Sequence, residues 1–292
     1  MKILLFGKTG QLGWEAQRTL APLGEVVVLG SKDVDLTRPD GLADHIRQIK
    51  PQVIVNTAAY TAVDKAEAES EAAMTVNAKA PGVMAEEARA LKAVLIHFST
   101  DYVFDGIKGS PYKEEDATNP LNVYGQSKLA GEQAIVQVGG GHIILRTSWV
   151  YSLRGDGFVN KVLAWSRKQE TLRIVSDQVG SPTWARMLAE TTALLLRRGS
   201  GYLHERAGLY HLAGAGHTSR FEWAQSILEA DPNKQEQVTK EIVSAATADF
   251  PTPAQRPLFS ALDCSKFEKT FDLHLPGWKT TLKLALDPLN TA

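Results

Sequence analysis

The stretch that decides the fold lies at the start of the chain and reads Lys2-Ile3-Leu4-Leu5-Phe6-Gly7-Lys8-Thr9-Gly10-Gln11-Leu12-Gly13. An apolar run such as Lys2 to Phe6, ended by a glycine, is typical of a strand buried on both faces of a parallel sheet. Gly7, Gly10 and Gly13 follow with the spacing G-x-x-G-x-x-G and open a helix predicted from Gln11 to Leu20. Because such a turn lets phosphate oxygens approach the backbone and a helix N-terminus, it predicts dinucleotide binding.

Beyond this turn, short apolar runs alternate with helix-like stretches as far as residue 150. The predicted strands are Glu25 to Leu29, Val53 to Asn56, Val94 to Phe98 and His142 to Leu145. The predicted helices are Leu42 to Ile49, one or two helices within Glu69 to Leu91, and Asn122 to Val138. Strands that alternate with helices in this way indicate an α/β fold with a Rossmann-type, doubly wound parallel sheet.

After Trp149 the pattern becomes less regular, because glycine, proline and aromatic residues interrupt shorter elements. We therefore predict a dinucleotide-binding domain over residues 1–150 and a smaller, mixed α/β substrate-binding lobe over residues 151–292. One helix of this second part is predicted from Ala185 to Leu196. Segments from both halves are expected to cross between the lobes.

Composition excludes several classes of function. The formal net charge is −1 and no run of Lys or Arg stands out, which argues against general binding of nucleic acid or of an anionic membrane. The single cysteine, Cys264, cannot form an intramolecular disulfide. No stretch reaches the roughly 18 apolar residues of a membrane span, and the run before Gly7 is too short for a signal peptide. We expect a cytoplasmic protein.

The end of the second predicted strand bears on the cofactor. Dinucleotide folds usually place an acidic residue there to hold the ribose 2′-hydroxyl, but this chain continues with Gly30, Ser31 and Lys32 before Asp33. Ser31 and Lys32 could meet a 2′-phosphate, which favours NADPH over NADH, unless Lys32 is only a solvated loop lysine. A P-loop is excluded, because Lys2 stands where that motif requires its first glycine.

A candidate catalytic set follows in the same half of the chain. Tyr124 and Lys128 form a Y-x-x-x-K pair on one face of a predicted helix. An ammonium group near the phenol would lower its pKa toward the range useful for proton transfer. Thr100 follows the fourth predicted strand, where a hydroxyl can point into the nucleotide crevice. The order of glycine turn, threonine and Tyr–Lys pair predicts a hydride-transfer enzyme.

At these positions the sequence resembles the extended short-chain dehydrogenase/reductases, and more closely the reductases that complete dTDP-L-rhamnose synthesis. The resemblance covers nearly the whole chain. The strings that carry it lie at residues 7–15, 33–37, 56–67, 99–106, 119–128, 146–151, 177–183 and 251–257. It implies NAD(P)H-dependent reduction of the C4 keto group of dTDP-4-dehydro-6-deoxy-L-mannose, a dTDP-sugar.

The resemblance also implies roles for individual residues. Thr100, Tyr124 and Lys128 would form the catalytic triad. Together with the residues selected above from the glycine turn and the end of the second strand, the cofactor would contact Gly7, Gly10, Gln11, Leu12, Gly13, Ser31, Lys32, Asp35, Leu36, Ala59, Tyr60, Thr61, Phe98, Tyr124 and Lys128. The substrate would contact Thr100, Asp101, Phe104, Trp149 and Arg256. Phe98, Phe104 and Trp149 could equally be core aromatic residues, and Arg256 a solvated loop charge.

Some members of the family are dimers bridged by magnesium, with Glu15 among the ligands. The position where we expect a second carboxylate holds Arg186, so we assign no metal site and leave a homodimer open. Other functions also stay open at this point: reduction or epimerisation of another nucleotide-linked keto-sugar, or a non-catalytic NADP-binding regulatory subunit. Dehydration is disfavoured, because Asp101-Tyr102 follows Thr100 where dehydratases usually carry an Asp-Glu pair.

Overall fold

The computed structural model describes residues 1–287, apart from the side chain of Asp40. Residues 288–292 of the predicted second domain lie outside this range. The strands are β1 (Lys2–Phe6), β2 (Glu25–Leu29), β3 (Val53–Asn56), β4 (Val94–Thr100), β5 (His142–Thr147), β6 (Val150–Tyr151), β7 (Thr171–Val175), β8 (Val179–Gly180), β9 (Thr183–Trp184), β10 (Gly208–His211), β11 (Thr218–Ser219) and β12 (Glu241–Ala245). The helices are α1 (Gln11–Leu20), α2 (Leu42–Ile49), α3 (Val63–Ala66), α4 (Ser70–Met74), α5 (Ala80–Ala90), α6 (Val123–Val138), α7 (Phe158–Ser166), α8 (Ala185–Leu196), α9 (Ser200–Glu205), α10 (Arg220–Ala230), α11 (Ser265–Phe271) and α12 (Trp278–Ala285).

Six strands form the central sheet in the order β10-β5-β4-β3-β1-β2, and all their pairings are parallel. Strand β1 has β2 on one side and β3 on the other, so the chain reverses its direction of winding at this strand. The doubly wound α/β fold predicted from the sequence is confirmed. In such sheets ligands bind where the winding reverses, at the carboxyl ends of the strands.

Side chains from both faces of the sheet are buried. On β1, Ile3 and Leu5 pack on one face with residues of α1, α8 and α11, whereas Leu4 and Phe6 pack on the other face with residues of α2, α5 and α6. A strand covered by helices on both faces must be apolar at every position, which explains the continuous run at residues 3–6.

The second half of the chain contributes to both parts of the molecule. Strand β10 completes the central sheet beside β5, and α8 packs along α1. A separate core contains residues of α7, α10 and α12 together with the parallel pair of β7 and β12. No helix within residues 1–287 has the length and hydropathy needed to span a membrane.

Most predicted elements match the structure closely, but two differences concern the site. Strand β4 continues two residues beyond the predicted Phe98 and ends at Thr100, because Ser99 and Thr100 pair in register with Arg146 and Thr147 of β5. The predicted helical region around residue 75 contains a π-helical segment, Thr75–Lys79, between α4 and α5. Such segments are frequent at functional sites.

Candidate active site

A cavity of about 670 Å³ lies at the carboxyl ends of the central strands. Its walls come from the turn after β1, the ends of β2 to β5 and the first turns of α6. The candidate residues that line it are Gly7, Gly10, Gln11, Leu12, Ser31, Asp35, Leu36, Ala59, Tyr60, Thr61, Phe98, Thr100, Asp101, Tyr124, Lys128 and Trp149. Residues more than 140 positions apart in the sequence therefore meet in one cavity.

The glycine turn is shaped by contacts that exclude side chains. Gly7 has φ +98°, and a Cβ atom there would lie 2.4 Å from Thr57 Oγ1. A Cβ atom on Gly13 would lie 2.0 Å from Gly7 O, so Gly13 allows α1 to approach the turn and does not itself line the cavity. Gly10 lines the cavity, and its Cβ would meet no protein atom closer than 3.5 Å. The turn leaves open backbone facing the cavity, which fits a dinucleotide pyrophosphate.

The position of Lys32 differs from its predicted role. Lys32 is exposed and does not line the cavity, whereas Ser31 and Lys8 do. Lys8 lies against the backbone after β2, where its Cβ would be 3.3 Å from a Cβ on Gly30. A basic side chain is therefore present beside Ser31, but it comes from the glycine turn. The sequence pattern at residues 30–33 could not reveal this contact.

The three candidate catalytic residues converge on the cavity from β4 and α6. Thr100 Oγ1 donates a hydrogen bond to Asp101 Oδ1 over 3.2 Å and accepts one from the backbone N–H of Tyr102. Burial raises the pKa of the Tyr124 phenol above its ordinary value, and the nearby Thr100 hydroxyl opposes that shift. The expected lowering of the Tyr124 pKa by Lys128 is absent, because Lys128 Nζ is directed to Phe98 O, 2.6 Å away.

The amine nitrogen of Lys128 is buried at the floor of the cavity that this residue lines. Its second neighbour is His97 Nε2, 3.2 Å away on β4, and only 2% of the Lys128 side chain is exposed. Burial lowers the pKa of Lys128 to about 8, against a smaller opposing effect of Glu132. His97 does not line the cavity, and the sequence motifs gave no reason to select it.

The buried carboxyl group of Asp101 accepts hydrogen bonds from three hydroxyl groups. Besides the bond from Thr100, its Oδ2 accepts hydrogen bonds from Ser148 Oγ at 2.9 Å and Ser260 Oγ at 2.5 Å. Burial raises the pKa of Asp101 to about 6, although these hydrogen bonds oppose the shift. Asp101 therefore fixes the Thr100 hydroxyl at the edge of the cavity.

Trp149 forms the wall of the cavity that faces the second lobe. Its φ of +44° is uncommon for a residue with a side chain, and such conformations cluster at functional sites. The indole lies against the backbone of Gly180, where a Cβ atom would come within 2.4 Å of it. Arg220 stacks on the ring, with its guanidinium carbon 3.7 Å from the ring centroid. Trp149 is thus held in place from both sides.

Two residues predicted to contact the substrate lie elsewhere. Phe104 is fully buried, stacks on Tyr112 at 4.1 Å between ring centroids and does not line the cavity, which matches the core alternative stated for this residue. Arg256 is not part of the cavity wall. Its guanidinium forms two hydrogen bonds with the carboxylate of Asp64, at 2.7 and 3.1 Å.

Several residues that position the site were not identified from the sequence. Glu132 on α6 accepts two hydrogen bonds from Arg146 of β5, at 2.9 and 2.7 Å, and one from Ser99 Oγ. Asn77, in the π-helical segment, bonds the backbone of Tyr60 and the hydroxyl of Ser127. These contacts fix α6 and the loop after β3 against the sheet. They join residues distant in sequence, so no local motif signals them.

The surroundings of Glu15 differ from the sequence-based expectation that Arg186 takes the place of a second carboxylate. Burial raises the pKa of Glu15, and a second carboxylate does lie nearby, at Glu190, one helical turn beyond Arg186 on α8. Arg186 forms an ion pair with Glu190 at 3.1 Å. Within residues 1–287, no three His, Cys, Asp or Glu side chains are grouped so that they could hold a metal ion.

The glycine turn and the Tyr124 phenol line the same cavity, and hydride transfer from a nicotinamide dinucleotide needs groups of these two kinds close together. The fold and the cavity together define a short-chain dehydrogenase/reductase of the extended type. The chain belongs to the RmlD substrate binding domain family, whose model matches residues 1–291.

Individual relatives agree with this assignment. The dTDP-4-dehydrorhamnose reductase of Salmonella typhimurium is 44% identical, and the match covers 100% of this chain and 99% of the relative. The enzyme of the same name in Escherichia coli K12 is 43% identical over 100% of this chain and 99% of the relative. A probable dTDP-4,6-dihydroxy-2-methyloxan-3-one 4-ketoreductase of Streptomyces antibioticus is 35% identical, over 100% of this chain and 97% of the relative.

Solved structures show the same architecture. The dTDP-4-dehydrorhamnose reductase of Clostridium acetobutylicum superposes with a TM-score of 0.90 at 34% identity, covering 99% of each chain. The enzyme of that name from Bacillus anthracis, solved in complex with NADP, gives a TM-score of 0.89 at 30% identity, covering 97% of this chain and 98% of the other. A UDP-glucose 4-epimerase of Thermus thermophilus, at 21% identity and with both chains fully covered, shares the fold with a TM-score of 0.81.

The two glycines of the turn should respond differently to alanine. Gly13→Ala is expected to destabilise the fold by about 2 kcal/mol, because its Cβ has no space beside Gly7 O. Gly10→Ala is expected to keep its stability but to weaken NADPH binding by on the order of tenfold or more, since the methyl group takes space at the cavity wall. Urea unfolding and fluorescence titration measure the two effects. Equal loss of stability in both variants would contradict this assignment.

Asp101 should make stability depend on pH in a known direction. Because its pKa of about 6 lies above the ordinary 3.8, the folded protein binds this proton more tightly than the unfolded chain. The contribution of Asp101 to stability is therefore fully present below the lower value and falls, by on the order of 3 kcal/mol, as pH rises to about 6. Urea unfolding across this range should show that the stability of Asp101→Asn, relative to the wild type, rises with pH by this amount. Asp105→Asn is the control, because the pKa of Asp105 is lowered and its removal should give no such rise.

Proposed function

We propose that this chain reduces the C4 carbonyl of dTDP-4-dehydro-6-deoxy-L-mannose to the alcohol of dTDP-L-rhamnose. The observation that carries the proposal is the convergence of Thr100, Tyr124 and Lys128 on the cavity that the glycine turn also lines. The relatives at 43–44% identity are dTDP-4-dehydrorhamnose reductases, which supports the choice of substrate. When bound, NADPH or NADH supplies the hydride.

In this proposal Tyr124 and Thr100 act on the carbonyl oxygen. Burial keeps the Tyr124 phenol protonated, so it can give its proton to the alkoxide that develops on the substrate. The Thr100 hydroxyl exchanges its long hydrogen bond to Asp101 for one to the same oxygen and stabilises the developing charge. Lys128, which lines the cavity floor, returns a proton to the Tyr124 phenolate after the transfer and binds the cofactor.

The cavity end that would receive the adenosine ribose contains Lys8 and Ser31. We assign these two side chains, in place of the predicted Lys32, to a 2′-phosphate. No carboxylate of the kind that would repel the phosphate directly follows β2, because Gly30, Ser31 and Lys32 precede Asp33. This arrangement favours NADPH over NADH. Asp35 also lines the cavity, but its carboxylate is bonded to Thr37.

Arg220, like Arg256, does not line the cavity, but it stacks on Trp149, which does, and we assign it to the substrate diphosphate. Among the residues that the structure describes, no carboxylate lies within ion-pair distance of its guanidinium, which contacts Trp149 and Phe158. Burial lowers the pKa of Arg220 to about 10, so the group is still charged at neutral pH. Arg256, the predicted ligand, already has Asp64 as its partner. A cation without a partner beside a binding cavity favours an anionic ligand.

Other nucleotide-linked keto-sugars form the second candidate substrate class, supported by the relative from Streptomyces antibioticus. A regulatory subunit that binds NADP without turnover is disfavoured, because Thr100, Tyr124 and Lys128 are all present at the cavity. A homodimer and a cytoplasmic location stay predictions. Sedimentation velocity with and without magnesium checks the first, and cell fractionation checks the second.

The reaction is tested by following loss of NADPH absorbance with dTDP-4-keto-6-deoxyglucose, with and without its 3,5-epimerase. We expect oxidation only when the epimerase is present, and faster oxidation of NADPH than of NADH. Tyr124→Phe should lower kcat by about 10²- to 10⁴-fold, because it removes the proton donor. Tyr202→Phe, which removes a phenol bonded to the backbone of Thr270, is the control and should keep full activity.

Each failure of this test has a distinct meaning. Full turnover by Tyr124→Phe would remove Tyr124 from the mechanism. Oxidation without the epimerase would assign the enzyme to a different keto-sugar. Tight NADPH binding without oxidation of either sugar would support the regulatory alternative.

The assignment of Arg220 predicts a selective loss of substrate binding. Arg220→Met should raise KM for the nucleotide sugar roughly tenfold to hundredfold, since it removes a charged hydrogen-bond donor, and should leave NADPH affinity unchanged. Arg186→Met removes an arginine that also lies over a tryptophan, Trp184, but is paired with Glu190, and serves as the control. An unchanged KM in Arg220→Met, with a raised KM in Arg256→Met, would return the role to Arg256.

A further inference from the structure

His97 lies directly beneath Lys128 in a row of buried polar groups that runs across the sheet. His97 and Asn56 are register partners on β4 and β3, and they are 0% and 1% exposed. Asn56 Nδ2 lies 3.0 Å from His97 Nδ1, and Lys128 Nζ lies 3.2 Å from His97 Nε2. His97 therefore lies between an amide and an amine, and it does not line the cavity.

The orientation of the Asn56 amide is fixed by the chain that follows it. The backbone N–H of Ala58 donates to Asn56 Oδ1 over 3.1 Å, so this atom must be the carbonyl oxygen. The other end of the amide, which faces His97 Nδ1, is consequently the NH₂ group and donates. His97 Nδ1 must accept this hydrogen bond and carries no hydrogen.

The hydrogen of the His97 ring must then be on Nε2. Burial and the neighbouring Lys128 lower the pKa of His97 well below its ordinary value, so the ring is neutral and has one N–H group. That N–H points at Lys128 Nζ, which also donates to Phe98 O. An amine has a lone pair and can accept from Nε2–H, whereas an ammonium group has none. All contacts of the row are satisfied only when Lys128 is an amine.

We propose that His97 is a positioning residue for Lys128: Asn56 holds its ring in the tautomer with hydrogen on Nε2, and this N–H favours the amine over the ammonium form of the lysine. To accommodate an ammonium group, His97 must move its hydrogen to Nδ1 and Asn56 must turn its amide away from Ala58. The loop at residues 58–61, which lines the cavity, is thereby coupled to the proton on Lys128.

Other ionisable groups around Lys128 affect its protonation in different directions. Glu132, one turn along α6, favours the ammonium form, but two hydrogen bonds from Arg146 of β5 engage its carboxylate. Tyr124, one turn back on α6, is a neutral phenol. Burial brings the pKa of Lys128 to about 8, and the proposed contact with His97 acts in the same direction. A lysine balanced near neutral pH can return a proton to the Tyr124 phenolate after turnover and take another from water.

The inference rests on the proposed role of Lys128, but its first test does not need activity. Nitrogen-15 NMR of the full-length protein labelled at histidine, without cofactor, distinguishes the two ring tautomers. We expect His97 to carry hydrogen on Nε2 once the pH is well above 8, where Lys128 is an amine. His211 is the internal reference for the opposite tautomer, because its Nδ1 lies 3.0 Å from the carbonyl oxygen of Tyr112 and must donate. Hydrogen on Nδ1 of His97 at that pH, or a doubly protonated ring, would overturn the proposal.

Two variants test the effect on Lys128 through the pH profile of kcat. In His97→Leu the opposing N–H is lost, so the midpoint assigned to Lys128 should rise by about one pH unit, a tenfold change in proton affinity. A fall of the midpoint would overturn the proposal, because it would mean that Nε2 accepts from the ammonium group. His142→Leu, the same change of a buried histidine on β5, is the control and should leave the midpoint unchanged.

Asn56→Asp keeps His97 and covers the case in which His97→Leu does not fold. Its carboxylate accepts from both Ala58 N–H and the ring, so NMR should show hydrogen on Nδ1 and the kcat midpoint should rise. An unchanged tautomer in this variant would contradict the role of Asn56. If His97 has its hydrogen on Nε2 but the protein oxidises no NADPH with any sugar, the proposed function fails and the tautomer assignment stands.

Discussion

The position of helix α6 over the sheet depends on a buried ion pair. Glu132 receives two hydrogen bonds from Arg146, and both side chains are only 4% exposed. Removing one partner of such a pair would strand the other charge in the interior, at a cost of about 3–5 kcal/mol. Because Ser99 also bonds Glu132, the pair ties α6 to β4 as well as β5. Tyr124 and Lys128 lie on this helix, so their reach into the cavity depends on the pair.

Close backbone contacts also fix the position of helix α6. A Cβ on Gly131 would lie 2.1 Å from Asn77 O, and one on Gly125 would lie 2.2 Å from Tyr102 O. Helix α6 can therefore approach the π-helical segment on one side and the turn after β4 on the other. Since Asn77 also bonds the loop after β3, the helix, the loop and the strand ends form one rigid frame around the cavity. The parallel sheet brings these parts to one edge.

Burial shifts the pKa values of the ionisable groups in this frame. It raises the pKa of Asp101 and Tyr124 and lowers those of Lys128 and His97, in each case because the charged form loses its hydration. Divergent shifts of this kind concentrate at active sites. They also explain why so many hydroxyl groups and amides surround the site: each buried polar atom needs a partner. The cavity is therefore polar at its floor and bounded by tightly packed apolar strands.

The sequence by itself determined the elements whose signals are local. The apolar run before Gly7, the spacing of the three glycines and the Tyr124–Lys128 pair predicted the doubly wound sheet, the phosphate turn and the catalytic helix, because period and spacing depend only on backbone geometry. Tertiary structure alone decided the contacts between distant segments. It placed Phe104 in a core and Lys8 instead of Lys32 at the cavity, paired Arg256 with Asp64, and put His97 under Lys128. Such choices depend on which strands and helices become neighbours, and no local pattern contains that information.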